Sequence, residues 1–167
     1  METKFWHFEL TGFIFTVILG SFLHFLYSWS GKNKIVGLFS AVSESTWEHL
    51  KLLFFPVLIF SVVEYFFIKG DAEGFFLTKA VAVLLGMGFI VAAFYTYSGI
   101  LGFNVLFVDI LLFVVGAAIT AWFSNSYIAQ PFGNNTAGLV ILIALAAAFA
   151  IFTFNPPELA LFEAPAK

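Results

Sequence analysis

The chain has 167 residues, of which 62% are hydrophobic and 10% are charged, and its formal net charge is -3. A soluble domain carries about 25% charged residues, so the composition argues against a soluble enzyme and predicts an integral membrane protein with a single domain, residues 1–167. The small net charge and scattered lysines argue against a nucleic-acid partner. The absence of arginine and cysteine removes bidentate phosphate clamps, thiolate metal ligands and a cysteine nucleophile.

Five apolar segments are long enough, or nearly long enough, to cross a bilayer, which requires about 20 helical residues. The predicted helices are residues 5–29, 46–68, 75–98, 103–124 and 137–154, separated by Gly, Asn, Pro and charged clusters. Residues 35–42 are apolar but too short to cross, which predicts an interfacial or re-entrant segment before the second helix. The tail, residues 155–167, begins Asn-Pro-Pro and cannot continue a helix. The sequence therefore predicts an all-α bundle of about five transmembrane helices.

Lysines near the ends of the predicted helices indicate an orientation. We call the side of the N-terminus side A and the opposite side, which five crossings give to the C-terminus, side B. Side A has Lys4, Lys69 and Lys79, and side B has Lys32, Lys34, Lys51 and Lys167. Cytoplasmic loops carry the excess of positive residues, so the pattern predicts a cytoplasmic side B. The expected partners are membrane lipids, and a homo-oligomer or a membrane protein partner stays open.

The first two long helices carry the same pair of ionisable residues in opposite order. Glu9 precedes His24 by fifteen residues, and His49 precedes Glu64 by fifteen residues. Fifteen helical residues rise roughly 22 Å, so each helix places a histidine near one membrane face and a glutamate near the other. Because consecutive spanning helices run antiparallel, His24 is expected at the depth of His49, and Glu9 at the depth of Glu64.

Other helices supply partners at both depths. Asp109 lies near the start of the fourth helix, at the depth of the two histidines. Two imidazoles and a carboxylate are suitable ligands for zinc or a similar divalent ion. The sequence thus predicts a buried metal site near side B, formed by His24, His49 and Asp109, with Glu44 and Glu48 nearby.

A second polar cluster is predicted near side A. Lys79 enters the third long helix from that side, at the depth of Glu9 and Glu64. Ionisable residues in spanning segments usually face protein or water rather than lipid. Charged ends this close to the interface can also extend to water without any function.

Glu48 has a catalytic and a structural interpretation. The start of the second long helix, Ser45-Thr46-Trp47-Glu48, is a capping box in which Ser45 caps and Glu48 reaches back. An ion pair with Lys51, three residues later, is a further structural role. As a catalytic residue, Glu48 would be the base that activates a metal-bound water.

Residues 43–56, reading SESTWEHLKLLFFP, together with Trp-His-Phe-Glu at residues 6–9 and the closing TFNPPELALF, carry a resemblance. They resemble a family of small prokaryotic membrane proteins of unassigned function that carry a Trp-Glu-His-Leu-Lys motif. The resemblance covers most of the chain, and residues 47–51 are its most specific part. It implies a multi-pass protein of the prokaryotic cytoplasmic membrane and implies no chemistry.

Three function classes remain open from the sequence. A metal-bound water could hydrolyse a lipid-like substrate, although HExxH and comparable short motifs are absent. The first helix carries Gly12, Thr16 and Gly20 on the same face as Glu9 and His24. A face of small residues with an ionisable group at each end also suits proton or ion movement, as in a transporter or channel subunit. A non-catalytic scaffold subunit, whose polar residues only hold helices together, is the third.

Overall fold

We describe the protein from a computed structural model, which covers residues 2–68, 73–128 and 133–165, with side chains from residue 6 onward except that of residue 68. Within these ranges the chain is all-helical, with six α-helices, one short 3₁₀ turn and no β-strand. The helices are α1 (Glu2–Trp29), α2 (Lys34–Gly37), α3 (Thr46–Ile68), α4 (Phe75–Leu101), α5 (Leu106–Tyr127) and α6 (Asn135–Phe154), followed by the 3₁₀ turn Ala160–Phe162. Five of them, all except α2, are long and apolar enough to cross a membrane. The predicted number of long helices is confirmed.

The break between α4 and α5 lies a few residues later than the sequence predicts. Gly99 stays helical, and α4 ends where Gly102 adopts a left-handed φ of 79°. A glycine in this conformation is a common helix terminator because it has no Cβ to clash. Val105 then donates its backbone N–H to the Tyr97 hydroxyl at 3.1 Å, which fixes the short connection to α5.

The long helices alternate in direction, so their ends form two polar regions at opposite ends of the bundle. End A, which corresponds to side A of the sequence analysis, contains the start of α1 and the end of α3. End B, which corresponds to side B, contains the end of α1 and the start of α3. Helix α4 packs against α3, α5 and α6, while α1 packs against α3 and α5. This arrangement brings residues from four or more helices together at each end.

Small residues allow the helices of the bundle to approach closely. A Cβ added at Gly86 of α4 would collide with Thr120 and Gly116 of α5. One added at Gly138 of α6 would collide with the backbone of Phe76 in α4. Glycine at helix contacts is typical of membrane bundles, where backbone proximity replaces the hydrophobic effect as the source of packing energy.

The outer surface of the bundle is apolar. Ile18 of α1, Phe107 of α5 and Ile143 of α6 are among many exposed large hydrophobic side chains. The interior, by contrast, contains fully buried Lys51 and Glu64. Monomeric soluble proteins rarely expose apolar patches of more than a few hundred Å², so this inverted distribution separates the chain from an ordinary soluble helical bundle.

Helix α3 contains Pro56 and still runs without a break from Thr46 to Ile68. Proline has no backbone N–H, so the carbonyl of Leu52 receives no helical hydrogen bond from it. That carbonyl lies against Gly20 of α1, where an added Cβ would collide with it. Glycine at position 20 therefore lets α1 approach α3 where the helical hydrogen bond is missing.

The segment before α3 and the tail after α6 both fold against end B. After α2, the chain turns through buried Ser40 and Ala41 before α3 begins. In the tail, the ring of Phe162 lies 5.0 Å from that of Trp47 in α3. Both segments, which are too short or too proline-rich to form a long helix, thus complete the packing of one end.

Candidate functional site

At end A, the structure brings the three residues of the predicted second polar cluster into contact. Lys79 Nζ of α4 lies 2.6 Å from Glu9 Oε1 of α1 and 2.6 Å from Glu64 Oε2 of α3. Ser124 of α5 donates its hydroxyl to the same Glu9 oxygen at 2.6 Å. All four side chains are buried. We call Glu9, Glu64, Lys79 and Ser124 the carboxylate–lysine cluster.

The two carboxylates of this cluster are not equivalent. Lys79 donates a hydrogen bond to Glu9 and forms an ion pair with Glu64 at the same distance of 2.6 Å. Apart from this ion pair, neither carboxylate oxygen of Glu64 has a hydrogen-bond partner in the part of the chain that the structure describes. Glu9 also accepts the Ser124 hydroxyl, so Glu64 is the carboxylate with fewer polar contacts.

At end B, Lys51 forms a separate buried network with α2, α3 and α6. Its Nζ lies 2.6 Å from Glu48 Oε2. The same ammonium donates to the Gly37 carbonyl at 2.8 Å and to the Thr153 hydroxyl at 2.9 Å. A lysine is rarely fully buried unless it is paired, and here the pairing joins three segments that are distant in the sequence.

Glu48, the predicted catalytic base, is occupied by contacts within this network. Besides the ion pair with Lys51, its Oε2 accepts the backbone N–H of Val42 at 2.9 Å. Its own backbone N–H donates to Ser45 Oγ at 3.3 Å, which is one half of the predicted capping box. The carboxylate reaches Val42 rather than the backbone of Ser45. These contacts give Glu48 a structural role.

The two predicted histidine ligands face each other at end B. The ring centroids of His24 in α1 and His49 in α3 are 5.1 Å apart. Glu44, in the loop before α3, places Oε2 3.6 Å from His49 Nε2. One ligand atom from each of the three residues lies within 4.8 Å of the others. We call His24, Glu44 and His49 the histidine site.

The histidine site presents ring nitrogens in a state that suits a metal ion. His49 Nδ1 lies 2.9 Å from the Ser45 carbonyl, which can only accept, so Nδ1 carries a hydrogen, and in the neutral ring Nε2 then offers its lone pair. His24 Nδ1 is buried without a hydrogen-bond partner among the described residues. Ligands in a tetrahedral zinc site lie about 3.4 Å apart, close to the 3.6 Å between His49 and Glu44. The ligand atom of His24 lies within 4.8 Å of the other two, so it would have to move closer to share one ion with them.

Asp109, the third ligand that the sequence predicts, lies outside the histidine site. It accepts hydrogen bonds from the Tyr97 hydroxyl and, at 3.0 Å, from Asn104 Nδ2. Asp109 thus stabilises the connection between α4 and α5, and Glu44 is the carboxylate beside the histidines. Matching depths along helices fixes height in the bundle but leaves rotation about the axis free, which is why the prediction names Asp109 at a position where the structure places Glu44.

Several partners of the buried charges carry no signal in the sequence. Ser124 and Thr153 are isolated hydroxyls in apolar helices, where such residues commonly serve only packing. The last helix looks like lipid-facing support because it has no ionisable residue, yet it supplies Thr153 to Lys51. A carbonyl such as that of Gly37 cannot be singled out, because nearly every residue has one.

The similarity of this chain to known sequences extends over its whole length. No curated protein and no solved structure matches it. One family model, described as a family of unknown function, matches residues 1–166. The chain therefore belongs to this family of unknown function, DUF6512.

Proposed function

We propose that the chain is an integral membrane protein that crosses the bilayer five times and binds one divalent metal ion of the zinc class at its histidine site. The observation that carries the metal proposal is the convergence of His24, Glu44 and His49 within 4.8 Å. Both histidines come from long apolar helices, where an imidazole with no partner is costly. His24 Nδ1 is buried without a hydrogen-bond partner among the described residues, and a bound metal ion would give it one.

Support for insertion comes from the five long helices and their surroundings. Their mean hydropathy ranges from 1.8 to 2.6, and their outward side chains are largely apolar. An odd number of crossings places the N- and C-termini on opposite sides. We place end B in the cytoplasm of a prokaryotic cell. Even without the buried Lys51 and Lys79, lysines in the sequence are more numerous on side B than on side A.

The composition of the histidine site favours a zinc-like ion over calcium or magnesium. Imidazole nitrogens are ligands for zinc and its neighbours in the periodic table, while calcium and magnesium prefer sites made of oxygen. The Glu44 side chain is 71% exposed and that of His49 is 34% exposed. An ion here would therefore be reachable from solvent and could keep a water molecule as a fourth ligand.

We propose binding of the ion rather than hydrolysis or conduction across the bundle. Glu48, the base that hydrolysis would need, is held by Lys51 and Val42. Between the two polar ends, Gly20 is in contact with the Leu52 carbonyl and the ring of Phe113. This contact blocks a single file of water molecules or ions along the face of α1 that carries Glu9 and His24.

The test is elemental analysis of protein purified without chelators. We expect about one zinc, manganese, iron or similar ion per chain in the wild type. His24→Gln, His49→Gln and Glu44→Gln should each lose most of it. Asp109→Asn keeps a hydrogen-bond acceptor for Tyr97 and should retain the metal, so it serves as the matched control. A metal-free wild type, or loss in Asp109→Asn equal to that in the histidine variants, would contradict the proposal.

A further inference from the structure

A cavity of about 260 Å³ opens at end A, between α1 and α3. Its wall includes three aromatic rings, those of Phe8, Phe60 and Phe67, together with His7, Thr11 and Glu64. Phe67 is 65% exposed, whereas Glu64 is 0% exposed. The cavity therefore runs inward from the outer surface of the bundle to the side chain of Glu64, which closes it off from the rest of the carboxylate–lysine cluster.

The charge of the cluster is unbalanced on the side of the cavity. Glu9, Lys79 and Glu64 form a row of negative, positive and negative groups. Lys79 is shared between the two carboxylates at 2.6 Å from each, and Ser124 donates to Glu9 alone, so one ammonium faces two negative charges. Buried charges are normally paired, since an isolated one is costly. A second cation next to Glu64 would balance the second negative charge of this row.

The lining of the cavity indicates which kind of cation fits. Calcium and magnesium need several oxygen ligands, and Glu64 is the only carboxylate among the described residues of this wall. Aromatic rings attract ammonium groups through their negative faces, and three rings line the space. A volume of about 260 Å³ lies just below the usual range for drug-sized ligands, about 300–1,000 Å³, so the occupant is small.

We infer that this cavity binds the ammonium group of a small organic cation, with Glu64 as its counter-ion and Phe8, Phe60 and Phe67 as its apolar wall. The ammonium group belongs either to a free alkylamine or to the ethanolamine headgroup of a phospholipid, which reaches the same opening from the bilayer. This site is separate from the histidine site and does not depend on a metal there. Its occupant turns the charged row of end A into a neutral set.

The direct test compares n-butylammonium with n-butanol, which has the same chain without the charge. The full-length protein in a non-ionic detergent is unfolded by heat and followed by the fluorescence of its four tryptophans. We expect a saturable rise of the unfolding midpoint with the ammonium and none with the alcohol. Equal effects of the two probes would overturn the inference, because they would show that the charge is irrelevant.

Variants then locate the site. Glu64→Gln should abolish the effect of n-butylammonium, while Glu158→Gln, which removes an exposed carboxylate from the tail, should keep it. Phe67→Ala should weaken the apparent affinity by about two- to fivefold, as expected for one exposed cation–π contact, without altering the unliganded midpoint. His24→Gln should respond like the wild type. An undiminished effect in Glu64→Gln would overturn the inference.

A second arm of the experiment distinguishes the two sources of the ammonium group. Wild type and Glu64→Gln are reconstituted with phosphatidylglycerol alone or with added phosphatidylethanolamine, and lipid retention is measured by native mass spectrometry. Selective retention of phosphatidylethanolamine by the wild type supports the headgroup, and a response to n-butylammonium without such retention supports a free amine. If neither amine nor lipid binds, a proton on Glu64 is the simpler counter-charge, and the inference fails.

Discussion

Lys79 lies between two carboxylates in a place where charge is expensive. The lysine reaches both Glu9 and Glu64 at 2.6 Å, and all three side chains are nearly closed to solvent. In a buried ion pair, the attraction roughly offsets the cost of removing the charges from water, so removing one partner exposes that cost. The three residues should therefore respond very differently to neutralisation.

We expect Lys79→Met to lower the stability of the protein by about 3–5 kcal/mol, since it leaves two buried carboxylates without their cation. Glu64→Gln leaves one carboxylate and one ammonium, which is a balanced pair, and should change the stability much less. Thermal unfolding in detergent measures both variants. Equal losses for the two variants would show that packing, and not charge, sets the effect of position 79.

At the residue scale, part of the site can be predicted from the sequence, for a definable reason. A fifteen-residue separation converts directly into height along a helix, and height places Glu9, Glu64 and Lys79 together. Height does not reveal which way Asp109 points, nor where the loop carrying Glu44 runs. Loop paths depend on tertiary contacts that no local pattern records, so the sequence places Glu44 near the histidines but does not single it out as the carboxylate beside them.

At the scale of helices, close approach at glycine determines how α4 meets its neighbours. Gly138 of α6 lies against the first turn of α4, where any added Cβ would meet the backbone at Phe76. Backbone atoms cannot move aside as a flexible side chain can. Gly88, in contrast, is an exposed glycine within α4 with nothing near the position of its missing Cβ.

These two glycines give a matched pair of variants. Gly138→Ala should destabilise the protein by about 1–3 kcal/mol through overpacking. Gly88→Ala should stabilise it by about 0.5–1 kcal/mol, since alanine loses less backbone entropy than glycine in a helix. Unfolding midpoints measured in the same detergent compare them. The account of α4–α6 packing would be wrong if Gly138→Ala were as stable as Gly88→Ala.

The helices themselves are largely readable from the sequence, because a run of about 20 apolar residues has few alternatives to a long helix. Predicted and observed bounds agree at both ends of α3, residues 46–68. They differ at the α4–α5 connection, where two glycines offer two places to stop. The choice of Gly102 over Gly99 depends on the contact between Tyr97 and Val105, which is a tertiary feature.

At the scale of the whole molecule, the proposed five crossings predict which loops share a side of the membrane. The chain has no cysteine, so a single introduced cysteine reports its own position. Lys32→Cys and Phe103→Cys lie at end B and should react with a membrane-impermeant maleimide from one side of the membrane. Glu73→Cys, at end A, should react only from the other side. Labelling of Lys32→Cys and Glu73→Cys from the same side would rule out a spanning α3.

The proline in α3 also determines where this helix can bend between the two ends of the molecule. Pro56 separates the half of α3 that carries His49 from the half that carries Glu64. Since the hydrogen bond to the Leu52 carbonyl is already missing, a change in bend at this point breaks none. Pro56 is thus the position at which α3 can bend without losing a helical hydrogen bond. A bend at Pro56 would change the angle between these two halves beside the contact of Gly20 with the Leu52 carbonyl.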